Sequence, residues 1–159
     1  MDFESICISG HKFFGMDSPC GLFITTRHVY DLQQTYDVPY LNADMRMINC
    51  SRSGIEPLKF WWLIKTIGDK GWTEQAQKIR VNTEYLKSKL NSIDVPNWNN
   101  VFSNTVLFRR PSDALVKKYN LACGNVPAFG GPVSHVVVMQ HVTKTAIDEL
   151  VADLKNENL

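Results

Sequence analysis

Apolar and polar positions alternate over residues 4–9 (ESICIS), a stretch rich in isoleucine, and this predicts a strand. A loop with two glycines follows over 10–18, and residues 20–26 (CGLFITT) predict a second strand. The connection is too long for a two-residue hairpin turn. A short helix is expected from Arg27 to Gln34. Residues 35–54, with Pro39, Asn42, Asn49, Ser51 and Gly54, read as irregular.

Two helices are predicted next. Residues 55–67 (IEPLKFWWLIKTI) are apolar on most faces, which argues for a buried helix. Pro57 suits its first turn and Gly68 its end. Over residues 73–92, Ala76, Ile79, Thr83, Leu86 and Leu90 recur at spacings of three and four, the period of an amphipathic helix. Thr73 is the expected cap of this helix, with Glu74 in its first turn.

Beyond Pro96 the pattern changes. A strand is predicted over 104–109 (NTVLFR), a helix opened by Ser112 over 112–121, and a loop rich in glycine and proline over 124–132 (GNVPAFGGP). Residues 133–139 (VSHVVVM) form a β-branched strand. Residues 143–156, capped by Thr143, place Ile147, Leu150, Val151 and Leu154 on one helix face. The tail is thus a strand–helix–strand–helix unit with a soft boundary near residues 91–100. The chain has neither an internal repeat nor a low-complexity tract.

Composition narrows the function classes. The 159 residues are 44% hydrophobic and 21% charged, with 17 basic and 16 acidic side chains and a net charge of +1. That balance offers no electrostatic footprint for nucleic acid or an anionic membrane. No apolar run approaches the roughly 20 residues of a membrane span. The opening MDFESICISG lacks a basic region followed by an apolar stretch, so it does not read as a signal peptide, and a cytoplasmic location is expected. Cys7, Cys20, Cys50 and Cys123 are scattered, so reduced thiols are expected in place of a disulfide framework. His135 and His141 alone are closely spaced, and they flank an apolar strand; no metal site is expected.

Ser9-Gly10-His11-Lys12 stands directly after the first strand. A lysine becomes a useful amine nucleophile where burial or a nearby positive charge lowers its pKa. Glycine beside it permits close approach of backbone to a ligand, and serine and histidine can bond to a phosphate. These are the features of a pyridoxal-phosphate (PLP) site, which needs an aldehyde-reactive lysine and polar groups for the cofactor phosphate. Taken alone, Lys12 is one of eleven lysines, and a loop lysine is ordinarily solvated. His11 alone is ordinarily a surface or hydrogen-bonded structural histidine.

The wider sequence changes that weighting. ISGHKFFG followed by DSPCGLFITT resembles the lysine segment of the group II PLP-dependent amino-acid decarboxylases, in particular the histidine decarboxylase-like branch, with serine decarboxylases close to it. The similarity continues in order through SRSG, the helix containing Phe-Trp, Ser103-Asn104-Thr105-Val106, LAC at 121–123 and HVVVM at 135–139.

The resemblance implies an α/β fold: the C-terminal part of a PLP-dependent transferase of aspartate-aminotransferase type. Residues 1–95 would be the end of the PLP-binding large domain with connecting helices, and residues 96–159 the small C-terminal α+β domain. Lys12 would form the Schiff base with PLP. His11 would contact the cofactor phosphate, supported by Ser9. Arg52 would lie near the substrate carboxylate, for which a guanidinium is suited, and Ser51 would help shape the pocket. The ordinary alternative for Arg52 is a loop arginine in a surface ion pair. The implied reaction converts an L-amino acid to its amine and CO2, with histidine to histamine first, serine as the main rival and aspartate a further candidate. The full-length form would be a homodimer.

Eleven residues precede Lys12. The family's ring-nitrogen aspartate, stacking aromatic residue and main phosphate loop all lie upstream of the lysine. The expectation is therefore a truncated or split product, and a catalytically silent fragment acting as a partner module is the competing reading. Unpaired edges on the first two strands and exposed apolar surface on helix 55–67 are expected consequences. Phe14 and Met16-Asp17 stand where relatives vary, and the 124–132 loop is expected to be longer than usual.

Overall fold

The structure is a computed structural model that describes residues 3–46 and 51–157. Asn49 and Cys50 lie outside the described residues. Two compact units divide at Gly68.

In the first unit, β1 (Ser5–Ser9) and β2 (Gly21–Thr25) form an antiparallel ladder running from Ser5↔Thr25 to Ser9↔Gly21. Thr26 caps α1 (Arg27–Asp31) by accepting the Val29 amide at 3.3 Å. This helix stops short of the expected Gln34. Arg46 donates to the Tyr30 and Gln33 carbonyls at 2.8 and 3.3 Å, satisfying groups that the end of the helix leaves open. The stretch expected to be irregular contains a small hairpin instead: β3 (Tyr36–Val38) pairs with β4 (Ala43–Met45) around a 3₁₀ turn at Pro39–Leu41. Strands of three residues are too short for alternation to reveal them.

The helical segment α2 (Ile55–Asn91) is broken at Gly68, whose φ of 67° and ψ of 172° are not helical. Glycine tolerates that conformation because it has no Cβ. The predicted stop at Gly68 is therefore present, but helix resumes at once. Thr73 lies inside a helical turn, donating to the Asp69 carbonyl at 2.8 Å, and is not a cap. Helix 55–67 is not buried: no residue in it is buried, and Ile55, Leu58, Trp61 and Trp62 are exposed. Phe60, Leu63 and Ile64 are half-buried.

In the second unit, β5 (Asn97–Trp98), β6 (Thr105–Arg109), β7 (Ala122–Val126) and β8 (Gly131–Val137) form an antiparallel sheet of order β5-β6-β8-β7. The loop expected over 124–132 is the tip of the β7–β8 hairpin, in register from Ala122↔His135 to Val126↔Gly131. Most of β7 is exposed, so its side chains lack the apolar alternation that marks a half-buried strand. The ring of Phe129 in the hairpin turn stacks on Trp98 at 4.7 Å. Helix α3 (Asp113–Tyr119) begins at the Ser112 cap and ends at Asn120, which is left-handed at φ 49°.

Helix α4 (Lys144–Asn156) is capped by Thr143 as expected, through the Ala146 amide. Ile147, Leu150, Val151 and Leu154 of α4, Leu86 and Leu90 of α2, and Val106 and Phe108 of β6 bury one another in a single core. Two aspartates pin α4 at its rim. Asp148 accepts from Tyr85 Oη at 2.8 Å and Lys89 Nζ at 2.8 Å, and Asp153 from Tyr119 Oη and Lys118 Nζ, both at 2.6 Å. Residues 69–91 thus pack with the C-terminal sheet, although the change in sequence character falls later, at 91–100.

Candidate active site at the His11–Lys12 turn

Strand β1 ends at Ser9, and the chain turns tightly. The Lys12 amide donates to the Ser9 carbonyl at 3.2 Å, the Gly15 amide to the Lys12 carbonyl at 3.0 Å, and the Met16 amide to the Gly10 carbonyl at 3.1 Å. Gly10 also donates to the Cys20 carbonyl at 2.7 Å. Its lack of a side chain matters: a Cβ there would meet Cys20 Sγ at 3.2 Å and Met16 Cγ at 3.4 Å. The turn brings Ser9, His11 and Lys12 together on one short backbone loop.

The Cys20 amide donates to His11 Nδ1 at 3.2 Å. A ring nitrogen that accepts carries no proton, so the proton of the neutral ring sits on Nε2. His11 is exposed, and that N–H is suited to a phosphate oxygen. Lys12 is exposed too, and its side chain makes no hydrogen bond or ion pair among the described residues. Its exposure leaves the side chain accessible to an aldehyde.

The rest of the loop is fastened to α2. Phe14 meets Phe60 edge-on with ring centroids 5.2 Å apart. Lys59 Nζ lies 2.9 and 3.1 Å from the Asp17 carboxylate oxygens and 3.4 Å from Glu56. Ser18 donates to the same Glu56 at 2.5 Å. The hydrogen bond from Lys59 holds the Asp17 carboxyl below its ordinary pKa, and Asp17 raises that of Lys59. Sequence reasoning missed this set. Its signal was the spacing of Glu56, Lys59 and Phe60, which share one helix face.

Arg52 and Ser51 lie in the irregular approach to α2, and both are exposed. No hydrogen bond or ion pair among the described residues joins either of them to the His11–Lys12 turn.

Residues 2–101 match the pyridoxal-dependent decarboxylase conserved domain. The chain belongs to this family. The decarboxylase similarity extends beyond that domain. A serine decarboxylase 3 of Oryza sativa subsp. japonica is 33% identical over 98% of this chain and 34% of its own length. A histidine decarboxylase of Vibrio campbellii is 32% identical over 97% of this chain and 39% of its own. In structure, L-methionine decarboxylase from Streptomyces sp. 590 matches 97% of this chain and 32% of its own, with a TM-score of 0.83 and 26% identity. The α/β fold is thus that of PLP-dependent decarboxylases, and the chain spans 32% to 39% of these relatives' lengths. Pyridoxal phosphate is the cofactor of the family, and the turn suits it: an amine on Lys12 that is unpaired among the described residues stands one residue from an outward N–H on His11. Among the described residues no helix is long and apolar enough to cross a membrane.

Proposed function

We propose that this chain supplies the lysine-bearing part of a decarboxylase that converts L-histidine to histamine and CO2, with PLP carried on Lys12. His11 Nε2–H and the Ser9 hydroxyl serve the cofactor phosphate. Arg52 offers a planar fork for the substrate carboxylate, and Ser51 borders the same pocket. PLP, when bound, supplies the electron sink for the pair left as CO2 departs. The substrate carbon loses its carboxyl group and gains a proton. The part played by the chain is to hold the amine, the phosphate donors and the carboxylate fork in place. The functional unit is a cytoplasmic homodimer.

The observation that carries this reading is the tied turn itself. His11 is locked through Nδ1 to Cys20, and the neighbouring lysine makes no side-chain hydrogen bond or ion pair among the described residues. L-serine is the second substrate reading, supported by rice serine decarboxylases at 33% and 36% identity. A third reading is a silent module that pairs with a complete subunit.

Incubation of the chain with PLP, borohydride reduction and peptide mass spectrometry should place the label on Lys12, and Lys12→Ala should abolish it. A label on another lysine overturns the assignment. Release of CO2 from histidine but not serine selects between the substrates. A labelled chain that decarboxylates neither favours the partner-module reading.

A further inference from the structure

The contacts that fasten the lysine loop follow one rule. On the helix, Glu56, Lys59 and Phe60 stand at i, i+3 and i+4, and so form a single stripe. On the loop, Phe14, Asp17 and Ser18 answer them through Phe14–Phe60, Asp17–Lys59 and Ser18–Glu56. Lys59 is the hub, because its ammonium reaches both Asp17 and Glu56. Without it, two carboxylates would face each other across the seam with Ser18 between them, and like charges at that range repel. Of the other apolar side chains of this helix, Ile55, Leu58, Trp61, Trp62 and Ile67 are exposed, while Leu63 and Ile64 are half-buried.

We propose that Lys59, acting through Asp17, Glu56 and Ser18, is a positioning residue that sets where the His11–Lys12 turn stands against helix α2. The role rests on the reading that Lys12 carries the cofactor. Lys59 itself touches neither cofactor nor substrate. It restrains the far end of a loop whose near end is fixed by the hydrogen bonds of Gly10 and Met16, so the lysine between them has a defined place.

The test uses the whole chain with PLP as the probe. Labelling of Lys12 is timed by borohydride trapping, and amide hydrogen exchange is followed over residues 10–16, with residues 105–109 as the internal reference. Lys59→Met should slow labelling by about three- to fivefold, the reach of an exposed charge network. It should raise exchange at Gly10, Gly15 and Met16 and leave residues 105–109 as they were. Lys59→Arg keeps the charge and can grip the Asp17 carboxylate with two donors, so it should restore both readouts. Added salt should slow the wild type towards the rate of the Met variant. If the wild type is labelled and Lys59→Met is labelled equally fast, the positioning role is overturned while the cofactor reading stands. If Lys59→Arg fails to rescue, the effect belongs to packing and the role is likewise overturned. A wild-type chain that takes no label at Lys12 sinks the cofactor reading, and this role with it.

Discussion

Phe108 and Trp62 are both large aromatic side chains in regular elements, yet the first is fully buried and the second is 61% exposed. They stand for the two units. In residues 69–157 the helix stripes and the alternating face of β6 close on a shared core. In residues 3–68, Met16 is the buried large apolar side chain among those described, while Phe23, Trp61 and Trp62 face outward. The candidate chemistry stands in the unit with almost no core. Its lysine turn is ordered by backbone hydrogen bonds, aromatic contacts and a charge clasp. The buried core and the candidate chemistry therefore draw on different parts of the sequence.

The strongest way to break that comparison is to empty the core. Phe108→Ala should cost about 3–5 kcal/mol, the range for deleting a buried phenyl ring, read from urea unfolding followed by far-UV circular dichroism. Under conditions where the variant is still folded, labelling of Lys12 by PLP should keep its wild-type rate. A parallel loss of both would show that the lysine turn depends on the C-terminal core.

Acid should act on the rim of that core. Hydrogen bonds from Lys89 and Tyr85 lower the pKa of Asp148, and those from Lys118 and Tyr119 lower that of Asp153, both from 3.8. A carboxylate with a depressed folded-state pKa stabilises the fold above its unfolded value, and that stabilisation disappears as pH falls through the folded value. Stability should hold down to about pH 4 and then fall, with α4 loosening first. Asp148→Asn combined with Asp153→Asn should lower stability at neutral pH and flatten this acid limb in thermal melts at stepped pH. An unchanged limb would place the acid-sensitive groups elsewhere.

The contrast between the units also marks where the sequence was legible. Periodicity found α4 and its Thr143 cap, the Ile79–Leu90 stripe and the stop at Gly68, because each depends on side chains that face a core or on a backbone only glycine adopts readily. It failed at β7, whose exposed backbone pairs without an apolar pattern, and at the hairpin of β3 and β4, whose strands are three residues long. Apolar composition argued for a buried helix 55–67, whereas the accompanying expectation of exposed apolar surface on that helix agrees with the exposure of Leu58, Trp61 and Trp62. At the candidate site, the ordered motifs led to Ser9, His11 and Lys12, but no local pattern foretold that Cys20 would fix the His11 ring, and the Glu56–Lys59–Phe60 spacing marks a helix face without naming the loop that Lys59 holds.

A smaller effect sharpens the account of the lysine turn. Gly10→Ala would press a methyl group to 3.2 Å from Cys20 Sγ, closer than sulfur accepts without moving. A cost of about 1–2 kcal/mol is expected for such overpacking, with slower labelling of Lys12. Cys20→Ala removes the sulfur, so the double variant should recover most of the loss, and a double-mutant cycle would measure the coupling. Additive effects would mean that Gly10 is needed for its backbone and not for its closeness to Cys20.

The smallest expected change is the other half of the opening comparison. Trp62→Gln deletes an indole as bulky as any core side chain, yet the ring is mostly in water before and after unfolding, so the unfolding free energy should move by no more than about 0.5 kcal/mol. Light scattering of the chain should fall, because the exposed patch of Leu58, Trp61 and Trp62 loses its largest member. A loss approaching that of Phe108→Ala would mean that Trp62 is covered in solution. If the cover is a second copy of the chain, the wild-type melting temperature must rise with protein concentration while that of Trp62→Gln does not. A melting temperature independent of concentration, together with a small Trp62 effect, leaves the two units as different in solution as their burial makes them.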